Sequence, residues 1–259
     1  RLRVLTKKKG DKGYIWTFLG HDDSEKTDFV AYRYSDGRGG ETAAEVLGTS
    51  RGTLVVDAYS GYNRVTEPEG RTRAGCLAHA RRKFFDASSS AEADSKTAMN
   101  TILELYKIEA QAKNEGIVGT RKHLELRQSQ SRKILNRFHG WLFEKQRLHP
   151  PKSPMGKAIS YALAQWEPLN RFTEDARIPV DNNAAERALR VVALGRKNYL
   201  FAGTNQSAKN IAGLYSIIST CEASGVNPVA YIQDVLMRTA SHPASKLDEL
   251  LPHRWIPSL

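Results

Sequence analysis

An α/β layer interrupted by a long helical block is the architecture implied by these 259 residues. Two changes of pattern carry that expectation. The first third sets short apolar runs between charged, Gly-containing turns, the mark of strands. From about Ser88 the apolar residues fall instead into helical spacing. Three hairpin-like strands, a helix and a further strand fit an α/β layer better than an all-β barrel.

Arg1 to Leu5, Tyr14 to Leu19 and Phe29 to Tyr34 read as the three strands. Glu41 to Leu47 has the length and composition of a short helix closed by Gly48. Thr53 to Val56 is a short buried-looking strand ending at Asp57, and Ala74 to Ala78 reads as another, feeding a basic helix from His79. Ser88-Ser89-Ser90 is the best linker candidate. Helices follow: Met99, Ile102, Leu103, Tyr106 and Ala110 share one face, as do Ile134, Leu135, Phe138, Trp141 and Leu142, then Met155, Ile159, Leu163 and Trp166. Pro179 and Asp181-Asn182-Asn183 start a helix whose Ala185, Ala188, Leu189 and Val192 face one way and whose Asn182, Glu186 and Arg190 face another. Ile211, Leu214, Tyr215 and Ile218 mark the next helix, stopping near Gly225, and Asn227-Pro228 opens the last.

Hydrophobic residues make up 40% and charged residues 26%, so the chain has the composition of a globular protein rather than a disordered one. A formal net charge of +11 makes a polyanion the natural partner. Cys76 and Cys221 form neither a disulfide framework nor a zinc spacing, which fits a reducing compartment. No stretch has the length and apolarity of a membrane span, so a cytoplasmic protein without a membrane partner is expected. Glycine loops of the Walker or dinucleotide type and a nucleophilic serine elbow are absent from the sequence, which argues against ATP, NAD and triad chemistry.

Three constellations remain. Asp57 ends an apolar strand, where open α/β sheets collect ligand sites, although an aspartate there also forms turns and caps helices. Arg71-Thr72-Arg73 precedes a helix presenting Arg81, Arg82 and Lys83 with His79 beside them. This pattern suits phosphate contacts but also describes a solvated basic face. His79 reads equally as a phosphate contact, a general acid or a helix-terminal residue. Glu186 stands among amides and arginines; with Asn183 as N-cap it would complete a capping box and pair with Arg190, or it could bind a metal near a phosphate. Two carboxylates with arginines around both point to two-metal phosphoryl transfer, which normally needs a third acid.

The stretches VVDAYSGYNRV, GCLAHARRKFFDA, PVDNNAAERALR, GRKNYLFAGTNQSA and LDELLPHRW, in that order, resemble the TnpC-type DDE transposases of the insertion-sequence-66 class. The resemblance implies an RNase H-like fold: a mixed five-stranded sheet with flanking helices, interrupted by an all-helical insertion. Its expected parts are a first core segment at 1–87, the insertion at 88–178, a closing helix with the glutamate at 179–203 and a C-terminal helical segment at 204–259. It implies metal-dependent DNA strand cleavage and strand transfer, with Asp57 and Glu186 as catalytic metal ligands. The cofactor would be two Mg²⁺ ions, with Mn²⁺ able to substitute. Arg187, Arg190, Arg196 and Lys197 would lie near the DNA path, joining His79, Arg81, Arg82 and Lys83 as DNA-binding candidates. Transposon ends and target DNA would be partners, with a homo-oligomer assembling on DNA and accessory proteins of the same element. The family's first aspartate falls just before the segment matching Arg1 to Leu5, and RLRVL holds no acid. The expectation is therefore a truncated chain with impaired strand transfer; the alternatives are a non-catalytic DNA-binding remnant or a helical assembly protein.

Overall fold

The computed structural model describes residues 2–4, 11–22, 27–66, 70–198 and 201–257. Its strands are β1 (Leu2–Val4), β2 (Asp11–Asp22) and β3 (Thr27–Ser35), then, after helix α1 (Glu41–Leu47), β4 (Thr53–Val55). A short helix α2 (Asn63–Thr66) leads to β5 (Thr72–Ala74). Helices follow as α3 (Leu77–Asp86), α4 (Glu92–Asn114), α5 (Arg121–Leu126), α6 (Arg132–Gln146), α7 (Pro154–Ala164) and α8 (Trp166–Asn170). The chain closes with α9 (Asn183–Asn198), α10 (Asn205–Ala223), α11 (Pro228–Thr239) and a tight turn at Ala244–Leu250. Two compact units divide these elements: a split unit of residues 1–46 and 184–259, and a mid-chain unit of 47–183.

In the split unit β1, β2 and β3 form an antiparallel meander, with Thr17 opposite Tyr32 and Leu19 opposite Val30. Side chains alternate across a strand, so Tyr32 and Tyr34 are buried while Arg33 is exposed. The two tyrosines share a small core with Val192, Ala202, Ala208 and Ala212. Helix α10 lies along β3 and completes its hydrogen bonding through side chains. The Tyr32 N–H donates to Ser216 Oγ at 2.8 Å and the Val30 N–H to Thr220 Oγ1 at 3.2 Å; the Thr220 hydroxyl donates back to the Val30 carbonyl at 3.1 Å, while the single Ser216 proton is shared between the Ala212 carbonyl at 2.9 Å and that of Tyr32 at 3.3 Å. Helix α11 opens on Asn227, whose Oδ1 accepts the N–H groups of Val229 and Ala230, with Pro228 in the first turn. The closing LDELLPHRW segment returns to it: Tyr231 Oη donates to the Leu250 carbonyl at 2.6 Å and Trp255 Nε1 to Asp234 Oδ2 at 2.7 Å.

The mid-chain unit holds β4 and β5 as a parallel pair, Thr53 opposite Thr72 and Val55 opposite Ala74. Around it, α3, α4, α6 and α7 bury Leu77, Phe84, Ile102, Leu105, Leu135, Leu142, Met155 and Ile159 in one core. Ser153 caps α7 by accepting the Gly156 N–H at 3.0 Å. Glycine is required at 156 because a Cβ there would stand 2.0 Å from the Pro150 carbonyl. Ser88–Ser90, read from sequence as a linker, form a hydrogen-bonded turn between α3 and α4, whose Phe84 and Ala98 share this core. Between α5 and α6 a π-helical stretch, Arg127–Ser131, turns Arg127 inward. That guanidinium is 1% exposed and grips Glu109 through two bonds, Nε to Oε1 at 2.8 Å and Nη2 to Oε2 at 2.6 Å. Its Nη1 donates to the carbonyls of Phe172, Asp175 and Ile178, tying down the segment that leads to Asp181.

The mixed five-stranded sheet of RNase H type is overturned. Among the described residues the strands make one three-stranded antiparallel sheet and one separate parallel pair. The reason lies at the strand edges. The outer N–H and C=O groups of β3 at Val30 and Tyr32 are taken by α10 hydroxyls, so they have no bonds to offer another strand. Strands β4 and β5 span three residues each. Just past them the Gly75 N–H bonds the Pro168 carbonyl and the Leu77 N–H bonds that of Val180, within helix-linked chain. The strand expected over Ala74 to Ala78 accordingly stops at Ala74, and the helix starts at Leu77.

Candidate active site around Asp57

Asp57 lies two residues beyond β4, after Val56, whose N–H still bonds the Ala74 carbonyl of β5. The following chain turns sharply, because Asp57 Oδ1 accepts the Tyr59 N–H at 3.0 Å. The turn-forming role open to Asp57 from sequence is thus real, and it leaves Oδ2 directed elsewhere. That oxygen faces His79 Nε2 at 3.9 Å, with the carboxylate side chain 36% exposed. His79 comes from the first turn of α3, so the parallel pair and the helix after it deliver the two groups to one place. Arg73 of β5 buttresses the turn: Nη2 donates to the Asp57 carbonyl at 2.6 Å and to that of Tyr59 at 3.1 Å, and Nη1 to Asn63 Oδ1 at 2.8 Å. Tyr161 of α7 is held protonated here; burial, then the nearby Asp57 charge, pushes its phenol up to about 12.

Helix α3 buries Leu77, Ala80 and Phe84 and leaves Arg81, Arg82 and Lys83 exposed. Lys83 Nζ sits 5.7 Å from the Tyr161 ring centre, a cation–π distance. Beside the start of α3, where the Leu77 N–H bonds the Val180 carbonyl, Asp181 shapes the entry to α9. Its Oδ1 accepts the Asn183 N–H at 3.0 Å, and its Oδ2 accepts the Asn183 side-chain amide at 2.7 Å and Tyr106 Oη at 2.6 Å. Burial, then the bond to Asp181, raises the Tyr106 phenol. Burial likewise raises the Cys76 thiol, which keeps it protonated and a poor nucleophile.

Glu186, Arg187, Arg190 and Lys197 are exposed on α9 in the split unit, with Glu186 in the first turn, where a negative charge complements the helix dipole. The side chain of Arg196 lies outside the described residues. The structure therefore brings Asp57 and His79 together within one unit and places Glu186 in the other. Helix α9 begins at Asn183, whose N–H is taken by Asp181 Oδ1 in the turn before it. Sequence reasoning read Asp181 as part of a helix start but missed its bond to Tyr106, and passed over Tyr161 and the Arg127–Glu109 pair. Tyr106 stands 75 residues away from its partner, and nothing local announces it.

Residues 1–210 match the family described as Transposase IS66 family, and residues 216–253 match the IS66 C-terminal element. The chain belongs to the IS66 transposase family. Among curated relatives, uncharacterized protein y4hP of Sinorhizobium fredii is 34% identical across 97% of this chain and 49% of its own length. Uncharacterized protein y4qI of the same organism is 35% identical across 96% of this chain and 48% of its own length. The chain spans about half the length of the curated relatives it matches. No solved structure matches it. For this IS66 transposase chain, the carboxylate oxygens of Asp57 and Glu186 are donors of the hard kind that divalent cations prefer. Among the described residues, however, no group of three or more His, Cys, Asp or Glu is placed to hold a metal ion. The donor set fits Mg²⁺ in kind, and within either unit falls short in number. No helix among the described residues is long and apolar enough to cross a membrane.

Proposed function

We propose that this chain carries part of the catalytic centre of a DNA transposase, in which Asp57 and Glu186 are carboxylate ligands to Mg²⁺ and DNA is cleaved and joined. The observation that carries this reading is the Asp57 carboxylate, fixed at a strand end by the Tyr59 N–H and faced by His79, beside a helix with three exposed cations. Bound divalent ions would supply the charge that stabilises the attacking and leaving oxygens of a phosphodiester. The chain's own residues do the rest. The Tyr59 N–H and the Arg73 guanidinium hold the Asp57 turn, His79 limits the swing of its free oxygen, and Arg81, Arg82 and Lys83 attract the polyanion. On α9, Arg187, Arg190 and Lys197 are exposed cations that we assign to DNA contact as well, with assembly of copies on DNA as the accompanying expectation.

A transposition assay of the element encoding this sequence tests the reading. Asp57→Asn and Glu186→Gln should each abolish transposition while the purified chains keep their fold and their DNA affinity. Transposition that survives Asp57→Asn would overturn it, and Mg²⁺-independent DNA binding untouched by either change would then favour a binding remnant.

A further inference from the structure

An open cleft of about 320 Å³ in the mid-chain unit is lined by Arg71, Arg73 and Arg171, with Thr66, Thr72 and, among the described residues, a single carboxylate, Glu167. Glu167 pairs with Arg171, which also reaches Glu174 at 3.2 Å. Arg71 and Arg73 have no carboxylate partner among the described residues. Arg71 is only 8% exposed and gives a hydrogen bond to the Leu47 carbonyl at 3.1 Å. Arg73 spends both Nη groups on the Asp57 turn and Asn63, and its Nε is buried without an acceptor. A cation withdrawn from water with no counter-charge is costly, and burial here lowers the Arg71 pKa. A tetrahedral oxyanion matches the charge left over, because the Arg71 guanidinium can bind phosphate through its remaining N–H donors and the Thr72 hydroxyl can add to them, whereas the Thr66 hydroxyl is spent on the Tyr62 carbonyl at 3.1 Å.

We propose that this cleft seats one backbone phosphate of bound DNA, and that Arg73, reaching from the cleft to the carbonyl of Asp57, ties phosphate occupancy to the position of that aspartate. The proposal rests on the reading of the chain as a DNA-processing protein and adds a site to it, separate from the α3 cations.

Anisotropy of a fluorescein-labelled duplex, titrated with the 259-residue chain at several NaCl concentrations, tests it. Removing one cation that neutralises a phosphate makes the slope of log K against log salt shallower by about 0.9. Arg71→Gln should change it by about that much, and Arg171→Gln should make it shallower too, with Arg171→Gln deciding the matter if Arg71→Gln does not fold. Glu167→Gln, at an exposed position, should tighten binding severalfold. Unchanged slopes in folded Arg71→Gln and Arg171→Gln, while those of Arg81→Gln and Arg82→Gln become shallower, would overturn the cleft and leave the DNA reading standing. Absence of salt-dependent binding by the unaltered chain would overturn the DNA reading itself. Glu67 and Glu69, which precede the cleft in sequence and lie outside the described residues, supply a further arm. If the effect of Arg71→Gln emerges only in a Glu67→Gln, Glu69→Gln background, the counter-charge is internal and the proposal is wrong.

Discussion

The two units are stabilised by different means. The mid-chain unit is a helical core of leucine, isoleucine, methionine and phenylalanine, closed by a buried Arg127–Glu109 pair that gathers loop carbonyls. The split unit has a core of two tyrosines, a valine and three alanines, and relies on hydroxyls to finish its hydrogen bonding: Ser216 and Thr220 along β3, and Tyr32 Oη on the Ala188 carbonyl of α9. It also leaves Leu194, Phe201, Leu214, Leu236 and Met237 exposed. The candidate residues divide along the same line. Asp57 and His79 lie in the unit with the larger apolar core, whereas Glu186 rides on a helix whose Ala188 carbonyl accepts Tyr32 Oη and whose Val192 joins the small tyrosine–alanine core.

Substitutions that strike each mechanism separately sharpen the contrast. The largest effect should come from Arg127→Met, which strands the Glu109 carboxylate and frees the Phe172 to Ile178 carbonyls; denaturant melts should show a loss of about 3 kcal/mol. Amide exchange in α4 and α6 should rise with it. Ser216→Ala should cost about 1–2 kcal/mol by orphaning the Tyr32 N–H, with faster exchange at that amide as its signature. An unchanged Tyr32 amide would show that hydroxyls do not finish the β3 edge. The helix caps should behave alike in both units, so Ser153→Ala and Asn227→Ala should each cost about 1 kcal/mol. A clear inequality between them would mean the capped helices are not held locally. Smallest of all, Glu186→Gln should change stability by less than about 0.5 kcal/mol, because the side chain is exposed, while abolishing transposition.

Much of this was legible in the sequence. The helix at Glu41–Leu47, the proline-led starts of α7 and α11, and the basic face of α3 follow from composition and spacing, because caps, prolines and apolar periodicity act within one or two turns. The helical run after Ser88 is equally a local matter, and five ordered motifs pointed to the family. The sheet was not legible, since short strands carry no record of which edge they join. Whether β3 offers its N–H groups to a strand or to Ser216 and Thr220 is decided by residues over 180 positions away.

The sequence by itself determined most of the longer helices, the basic character and the membership of the IS66 transposase family. Only the tertiary structure decided that Asp57 turns its free oxygen toward His79, that Tyr106 bonds Asp181 before α9, and that Arg71, Arg73 and Arg171 share one cleft. The physical reason is range. Propensity and capping are settled among neighbours in the chain, whereas burial, edge satisfaction and charge pairing depend on groups that the fold brings together from distant positions.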